Sequence, residues 1–364
     1  MKKKIKVFHI IQSLESGGCE NFLLRLLPKV NEFENIILTI KEKGPLAKKF
    51  EKNGIRVDCL ENNWFGVFNY LDKHKPDRVI TYLFHGDMLG RFMVRLFTKY
   101  RPIPFLRTTY NYPKYWIARV FEKYSSFLVD QYLANSESVK NFYVNNLSVD
   151  GKKITVIPNG VDLSIFESAK KDRNGFRKQM KVLDNEKVIV CVANFHKNKG
   201  HVYLLKAFEK IYNKNKNIWL WLVGDGEERS YFEKEINKYR SKNKIVLFGK
   251  RDDVPIILSA SDIFVLPTLF EGMSNAILEA MASGLPIITT DISENREIIE
   301  NNISGILIPI MDSLLIEQSI NYLLENSRMM NEIGLEGKKL IEKKFDIKKI
   351  TSKFFDYVEN GLLS

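Results

Sequence analysis

Short apolar runs alternate with amphipathic stretches along the whole chain, at the spacing of strands followed by helices. In the first half the runs fall at Ile5–Ile11, Asn35–Ile40, Arg56–Leu60, Arg78–Leu83, Pro104–Arg107 and Gln131–Ala134, with a further one at Ile154–Ile157. In the second half they fall at Lys187–Ala193, Trp219–Val223, Lys244–Phe248, Ile263–Leu266, Pro286–Thr290 and Gly305–Ile308. Between them, stretches such as Glu20–Val30, Val202–Tyr212 and Arg229–Tyr239 repeat their apolar positions with a helical period. Two strand–helix series of similar length predict two doubly wound parallel-sheet α/β domains. A chain of 364 residues also exceeds what one ordinary core organises. The turn-rich Ile157-Pro158-Asn159-Gly160-Val161-Asp162 marks the junction. The expected division is 1–162, 163–346, and a final helical segment, 347–364.

One stretch carries more chemistry than the rest: Phe270 to Asp291, FEGMSNAILEAMASGLPIITTD. It follows the strand Ile263–Leu266, so Glu271 is expected at a strand's carboxyl end. Gly272 to Asn275 turn the chain into a helix predicted over Ala276–Ala282, with Ser274 or Asn275 as its cap. Ser283-Gly284 ends that helix and Pro286 opens the next strand. In open parallel sheets ligands bind beyond the carboxyl ends of strands, and a helix amino terminus attracts phosphate. Glu271 and Glu279 flank that amino terminus, about 10 Å apart at roughly 1.5 Å per helical residue. Unpaired carboxylates accept hydrogen bonds from neutral hydroxyls, which suits a nucleotide sugar.

This segment resembles the signature of the family-four retaining glycosyltransferases, which pair two glutamates eight positions apart after a strand. The resemblance spans nearly the whole chain and is strongest from Ile154 to Pro309. It implies the architecture called GT-B, two Rossmann-like domains facing across a cleft, with a hinge that carries a similar IPNGVD. It implies that the final helix, around Ile347–Glu359, crosses back to the first domain. By the same resemblance Glu279 holds the ribose hydroxyls and Glu271 the donor sugar, with Gly272, Met273, Ser274 and Asn275 around them. Gly17-Gly18-Cys19-Glu20 is similar to the family's GG-x-E loop beside the donor phosphates, and glycines there let backbone approach an anion. Ala193-Asn194-Phe195-His196-Lys197-Asn198-Lys199-Gly200 stands where the family has an arginine and a lysine on the diphosphate. Lys199 matches the lysine. Asn194 replaces the arginine, leaving His196 or Lys197 to supply the charge. Val223-Gly224-Asp225-Gly226 and Phe248-Gly249-Lys250-Arg251 resemble turns that border the base and ribose, with Arg251 either a wall of the base pocket or a surface charge.

Composition narrows the setting. Hydrophobic residues make up 45% and charged residues 27%, as in ordinary globular proteins, and no run approaches the ~18 apolar residues of a membrane span. The basic head MKKK precedes an apolar run too short for a signal peptide. Cys19, Cys59 and Cys191 lack any paired spacing and are expected as free thiols in a reducing, cytoplasmic setting. The net charge of +12 is uneven: residues 1–165 hold 26 Lys/Arg against 16 Asp/Glu, and the remainder 30 against 28. Such a first half is suited to an anionic partner. The excess concentrates between Met88 and Lys123, where Arg91, Arg95 and Lys99 fall at i, i+4 and i+8 among aromatics that include Phe92, Phe97, Tyr110, Tyr112, Tyr115 and Trp116. This reads either as a face for an anionic membrane or as a solvated helix over an aromatic core. No nucleic-acid-binding pattern accompanies it. His85 follows a strand of the first half and reads either as an orienting group for acceptor or sugar hydroxyls or as a buried structural histidine. Arg107, where some members of the family place a histidine, is a further candidate.

Together these features predict a retaining, metal-independent enzyme that moves a sugar from a nucleoside diphosphate sugar, expected to be UDP-linked, onto a hydroxyl of a glycan or lipid-linked acceptor. Glu271, His85 and Lys199 are the candidate catalytic groups. No cofactor is expected beyond the nucleotide-sugar co-substrate. Two other readings are a nucleotide-sugar epimerase of the same architecture and a non-catalytic anion- or membrane-binding protein.

Overall fold

The computed structural model describes residues 4–15, 17–30, 32–108 and 116–361. Thr109, Tyr110, Tyr112, Lys114 and Tyr115 of the basic, aromatic stretch, and Met1 to Lys3 of the basic head, lie outside the described residues. The chain divides into two compact units, Met1–Gly160 with Ile347–Ser364, and Val161–Asp346.

The first unit is built on a seven-stranded sheet: β1 (Ile5–Ile11), β2 (Phe33–Thr39), β3 (Arg56–Cys59), β4 (Arg78–Tyr82), β5 (Ile103–Leu106), β6 (Tyr132–Ala134) and β7 (Ile154–Val156). Its order is β3-β2-β1-β4-β5-β6-β7, with every pairing parallel. The second unit carries a six-stranded sheet: β8 (Lys187–Val192), β9 (Ile218–Val223), β10 (Ile245–Gly249), β11 (Ile263–Leu266), β12 (Ile287–Thr290) and β13 (Ile306–Ile308). Its order is β10-β9-β8-β11-β12-β13, again all parallel. Each strand predicted from the apolar runs is present, displaced by no more than two residues at either end.

In both sheets the order reverses once, between β1 and β4 and between β8 and β11. The loops leaving such neighbours diverge to opposite faces and open a crevice, which is where doubly wound sheets hold ligands. The central strands are buried on both faces, as Val7, Phe8, Ile10 and Ile11 of β1 and Val188 to Cys191 of β8 illustrate. The final helix, Ile347–Asn360, buries Ile350, Phe354, Tyr357 and Val358 in the core of the first unit. Phe355 stacks on Phe33 with ring centres 5.0 Å apart, and Tyr357 donates to Gln131 at 3.1 Å. No helix among the described residues is long and apolar enough to cross a membrane.

The stretch Leu83–Phe97 departs from the sequence reading. Leu83 enters the left-handed region at φ 61°, a costly conformation for a bulky residue, and β4 thereby turns directly into the helix Leu83–Met88. A π-helical turn follows at Leu89–Val94 and shifts the register of the side chains. Arg91 consequently points inward, 1% exposed, against Glu122 at 2.5 Å and Ser125 at 2.6 Å. Arg95 is half-buried and donates to the Leu128 carbonyl at 3.0 Å, while Lys99 lies beyond the helix end at Phe97. The basic face of Arg91, Arg95 and Lys99 expected from their spacing is therefore absent.

Candidate functional site

In the second unit the crevice is formed by the loops after β8 and β11. Leaving β8, the chain runs through Asn194, exposed, and His196, half-buried, into a short turn Lys197–Lys199. Gly200 then adopts φ 68°, where a Cβ would sit 2.0 Å from the Pro267 carbonyl oxygen, so only glycine fits. Across this seam the Asn198 carbonyl accepts from the Leu269 amide at 2.7 Å and from the Thr268 hydroxyl at 3.1 Å. The turn is thus sewn to the loop that carries Glu271. Seventy-two positions apart in sequence, the Lys199 ammonium and the Glu271 carboxylate meet as a hydrogen-bonded ion pair, with side chains 19% and 13% exposed.

Beyond Glu271, Gly272 is half-buried and Met273 buried. Ser274 caps the helix Asn275–Ala282, its hydroxyl accepting from the Ile277 amide at 3.4 Å. Between the two residues proposed as caps, the structure selects Ser274, and Asn275 becomes the first helical residue. Glu279 lies on this helix and is buried. The turn after β9 closes on the first loop: Gly224, at φ 142°, would place a Cβ 2.0 Å from the Ala193 carbonyl oxygen, and the Phe195 amide donates to Asp225 at 3.0 Å.

Four candidates are already engaged. Glu271, expected as an unpaired acceptor, holds Lys199, because the tied loops leave two opposite charges half-buried side by side. Arg251 is gripped through two nitrogens by Asp253, at 2.7 and 2.6 Å, two residues on. His196 faces Glu227 at 3.3 Å, and Lys197 is exposed. Glu294, which the sequence reading did not single out, belongs to the same neighbourhood. It follows β12, is 5% exposed, and its carboxyl is held above the usual range by burial, with the Glu297 and then the Glu271 charge adding to the shift. Its only sequence signal is its place just beyond the TTD end of a strand.

In the first unit the crevice lies where β1 and β4 end. Gly17 opens the helix Gly18–Leu26, and a Cβ there would fall 2.5 Å from the Glu20 carboxylate. Glu20 is buried, and burial raises its pKa against the opposing pull of its own backbone hydrogen bond and of Arg107. Arg107 lies over the rings of Phe22 and Phe105, 4.4 and 5.1 Å from their centres. His85 stands two residues beyond the left-handed Leu83, half-buried, with its pKa lowered by burial and then by Lys41. Gly86 lets that helix lie against β1, where a Cβ would come 2.8 Å from the Ile10 carbonyl oxygen. Lys199, Glu271, Ser274 and Glu279 therefore gather in one unit, while Gly17, Gly18, His85 and Arg107 gather in the other.

Comparison with known proteins gives a consistent picture. Residues 172–340 match the model for "Glycosyl transferases group 1", and residues 37–165 match that for "Glycosyltransferase Family 4". The chain is 30% identical to the UDP-Gal:alpha-D-GlcNAc-diphosphoundecaprenol alpha-1,3-galactosyltransferase of Escherichia coli, over 97% of this chain and 96% of that one. It is 29% identical to the capsular polysaccharide biosynthesis glycosyltransferase CapM of Staphylococcus aureus, over 94% of each. Among solved structures, Anabaena Alr3699/HepE in complex with UDP-glucose superposes with a TM-score of 0.87 over 98% of this chain and 99% of that one, at 19% identity.

Proposed function

The chain belongs to the family-four glycosyltransferases, and from that premise we propose that it transfers a sugar from a UDP-sugar to a hydroxyl of a lipid-linked or glycan acceptor, with retention at the anomeric carbon. The observation that carries this reading is the Lys199–Glu271 pair set before the capped helix Asn275–Ala282, with Glu279 buried on that helix. The Escherichia coli relative is named for a UDP-sugar and a diphosphoundecaprenol-linked acceptor, which supports both the nucleotide and a lipid-linked acceptor here. Such an acceptor places the enzyme peripherally at the inner face of a membrane.

The diphosphate lies against the amino terminus of Asn275–Ala282, whose first-turn amides carry partial positive charge. Lys199 turns its charge to the phosphates while keeping Glu271 close enough to accept from sugar hydroxyls. Glu279 holds the ribose. As the bond between the anomeric carbon and the phosphate oxygen breaks, negative charge grows on the departing diphosphate, where lysine and helix amides are already placed. The acceptor oxygen bonds to the anomeric carbon on that same face, and its proton passes to the departing phosphate. His85 is the group assigned to acceptor hydroxyls. This scheme assigns charge compensation to protein groups rather than to a metal ion.

Two measurements test it. Lys199→Ala should weaken UDP binding roughly 10- to 100-fold, the loss of a charged hydrogen bond worth about 1.5–3 kcal/mol, while uridine affinity changes far less. An equal loss for both ligands would remove Lys199 from the phosphates. Sugar transfer should also persist in EDTA, and abolition by EDTA with rescue by a divalent ion would overturn the metal-independent scheme.

A further inference from the structure

The helix Trp116–Ser125 is inside out. Its inward face is Ala118, Glu122 and Ser125, all buried, and two of those three are polar. Its outward face carries Trp116 (62% exposed), Ile117 (60%), Val120 (46%) and Tyr124 (72%). At about 100° per residue these four span an arc of roughly 100°, a single apolar stripe turned away from the core. The orientation is locked from beneath, because Glu122 and Ser125 both receive the buried Arg91 guanidinium.

The stripe has neighbours of the same character. Phe127, just past the helix, is 75% exposed. Phe92 and Leu96, one turn apart on the preceding helical segment, are 38% and 53% exposed, and the Phe92 ring lies 5.2 Å from Phe121 of the helix. Phe97, 71% exposed, extends the patch toward Phe68, with ring centres 6.0 Å apart. Isolated apolar side chains on a surface need no explanation, but a contiguous patch marks a contact.

Charge identifies the partner. Lys99, Arg101, Arg119 and Lys123 lie in the same stretch of chain as the patch, whereas the acids from Met88 to Asp130 are Glu122, turned inward, and Asp130, which pairs with Arg101 at 3.4 Å. Aromatic and aliphatic groups with basic residues in the same stretch, and almost no exposed acid, match the interfacial zone of an anionic bilayer, where rings seat among headgroups and lysines meet phosphates.

We propose that the outward face of Trp116–Ser125, with Leu96, Phe97 and Phe127, inserts into the interfacial layer of an anionic membrane. This deepens the reading of a lipid-linked acceptor, but membrane binding itself is measured without donor, acceptor or turnover.

The full chain is sedimented with vesicles of phosphatidylglycerol and phosphatidylcholine, and separately with phosphatidylcholine alone. Binding is expected to the anionic vesicles only, weakening as salt rises. Brominated acyl chains should quench tryptophan emission in the wild type and much less in Trp116→Phe. Ile117→Ser/Val120→Ser/Tyr124→Ser should lose at least tenfold in partitioning while keeping the wild-type thermal midpoint and UDP affinity, since all three side chains already face solvent. Lys99→Gln/Lys123→Gln should lose the preference for anionic lipid. Unchanged partitioning of the triple variant would overturn the proposal. Equal binding to neutral vesicles would also overturn it, as would a dimer, abolished by the triple variant, that binds no vesicles. Failure to bind UDP with vesicle binding intact would instead sink the catalytic reading and leave this one standing.

Discussion

Replacing Glu122 by alanine is expected to destabilise the first unit by about 3–5 kcal/mol, because it strands a buried guanidinium without its counter-charge. The Arg91 and Glu122 side chains are 1% and 0% exposed, so solvent cannot compensate either one alone. Ser125 stays in place at 2.6 Å from Arg91 but carries no charge. For a unit of this size each kcal/mol moves the midpoint by about 2–4 °C, so melting should come roughly 6–20 °C earlier. Calorimetry should show the transition of the first unit shifting while that of the second holds. Arg91→Met/Glu122→Leu should recover most of the loss, since exchanging a whole buried pair for apolar groups is close to neutral. A Glu122→Ala protein as stable as the wild type would mean that the pair contributes nothing to holding the helix.

A second large effect is expected at the donor side. Glu279→Ala should weaken UDP binding by about 1.5–3 kcal/mol, through loss of the carboxylate proposed to accept from the ribose hydroxyls. Glu271→Ala should leave UDP affinity nearly intact and lower kcat for sugar transfer, because its proposed partner is the sugar. The two variants therefore separate binding from turnover. Calorimetric titration with UDP, alongside initial rates with a UDP-sugar, distinguishes them. Wild-type UDP affinity in Glu279→Ala would end the ribose assignment. An equal fall in UDP affinity for both variants would show that Glu271 acts on Lys199 and the phosphates instead.

Local signals carried much of the architecture. A strand buried on both faces advertises itself as an apolar run, so the strands could be placed to within two residues. Ser274 as cap and Gly284 at the helix end, φ 82°, follow from backbone chemistry that involves only near neighbours. What stayed hidden depends on groups distant in sequence or on register. The Lys199–Glu271 pair joins loops from two strands, and no spacing rule brings them together. The i, i+4 and i+8 positions of Arg91, Arg95 and Lys99 assumed an unbroken α-helix, which the π turn at Leu89–Val94 replaced. The helix Trp116–Ser125 is amphipathic either way; the burial of Arg91 decides which face turns outward.

The seam between Gly200 and Pro267 has a consequence for redesign. With no room for a Cβ at Gly200 and the Asn198 carbonyl bound to Leu269 and Thr268, the loops after β8 and β11 cannot be exchanged singly. A graft that brings a new Glu271 loop from a relative must bring the matching Lys197–Gly200 turn as well, or its backbone will collide with the old one. The pair behaves as one interchangeable cassette, and redesigning the proposed donor site means moving both halves at once.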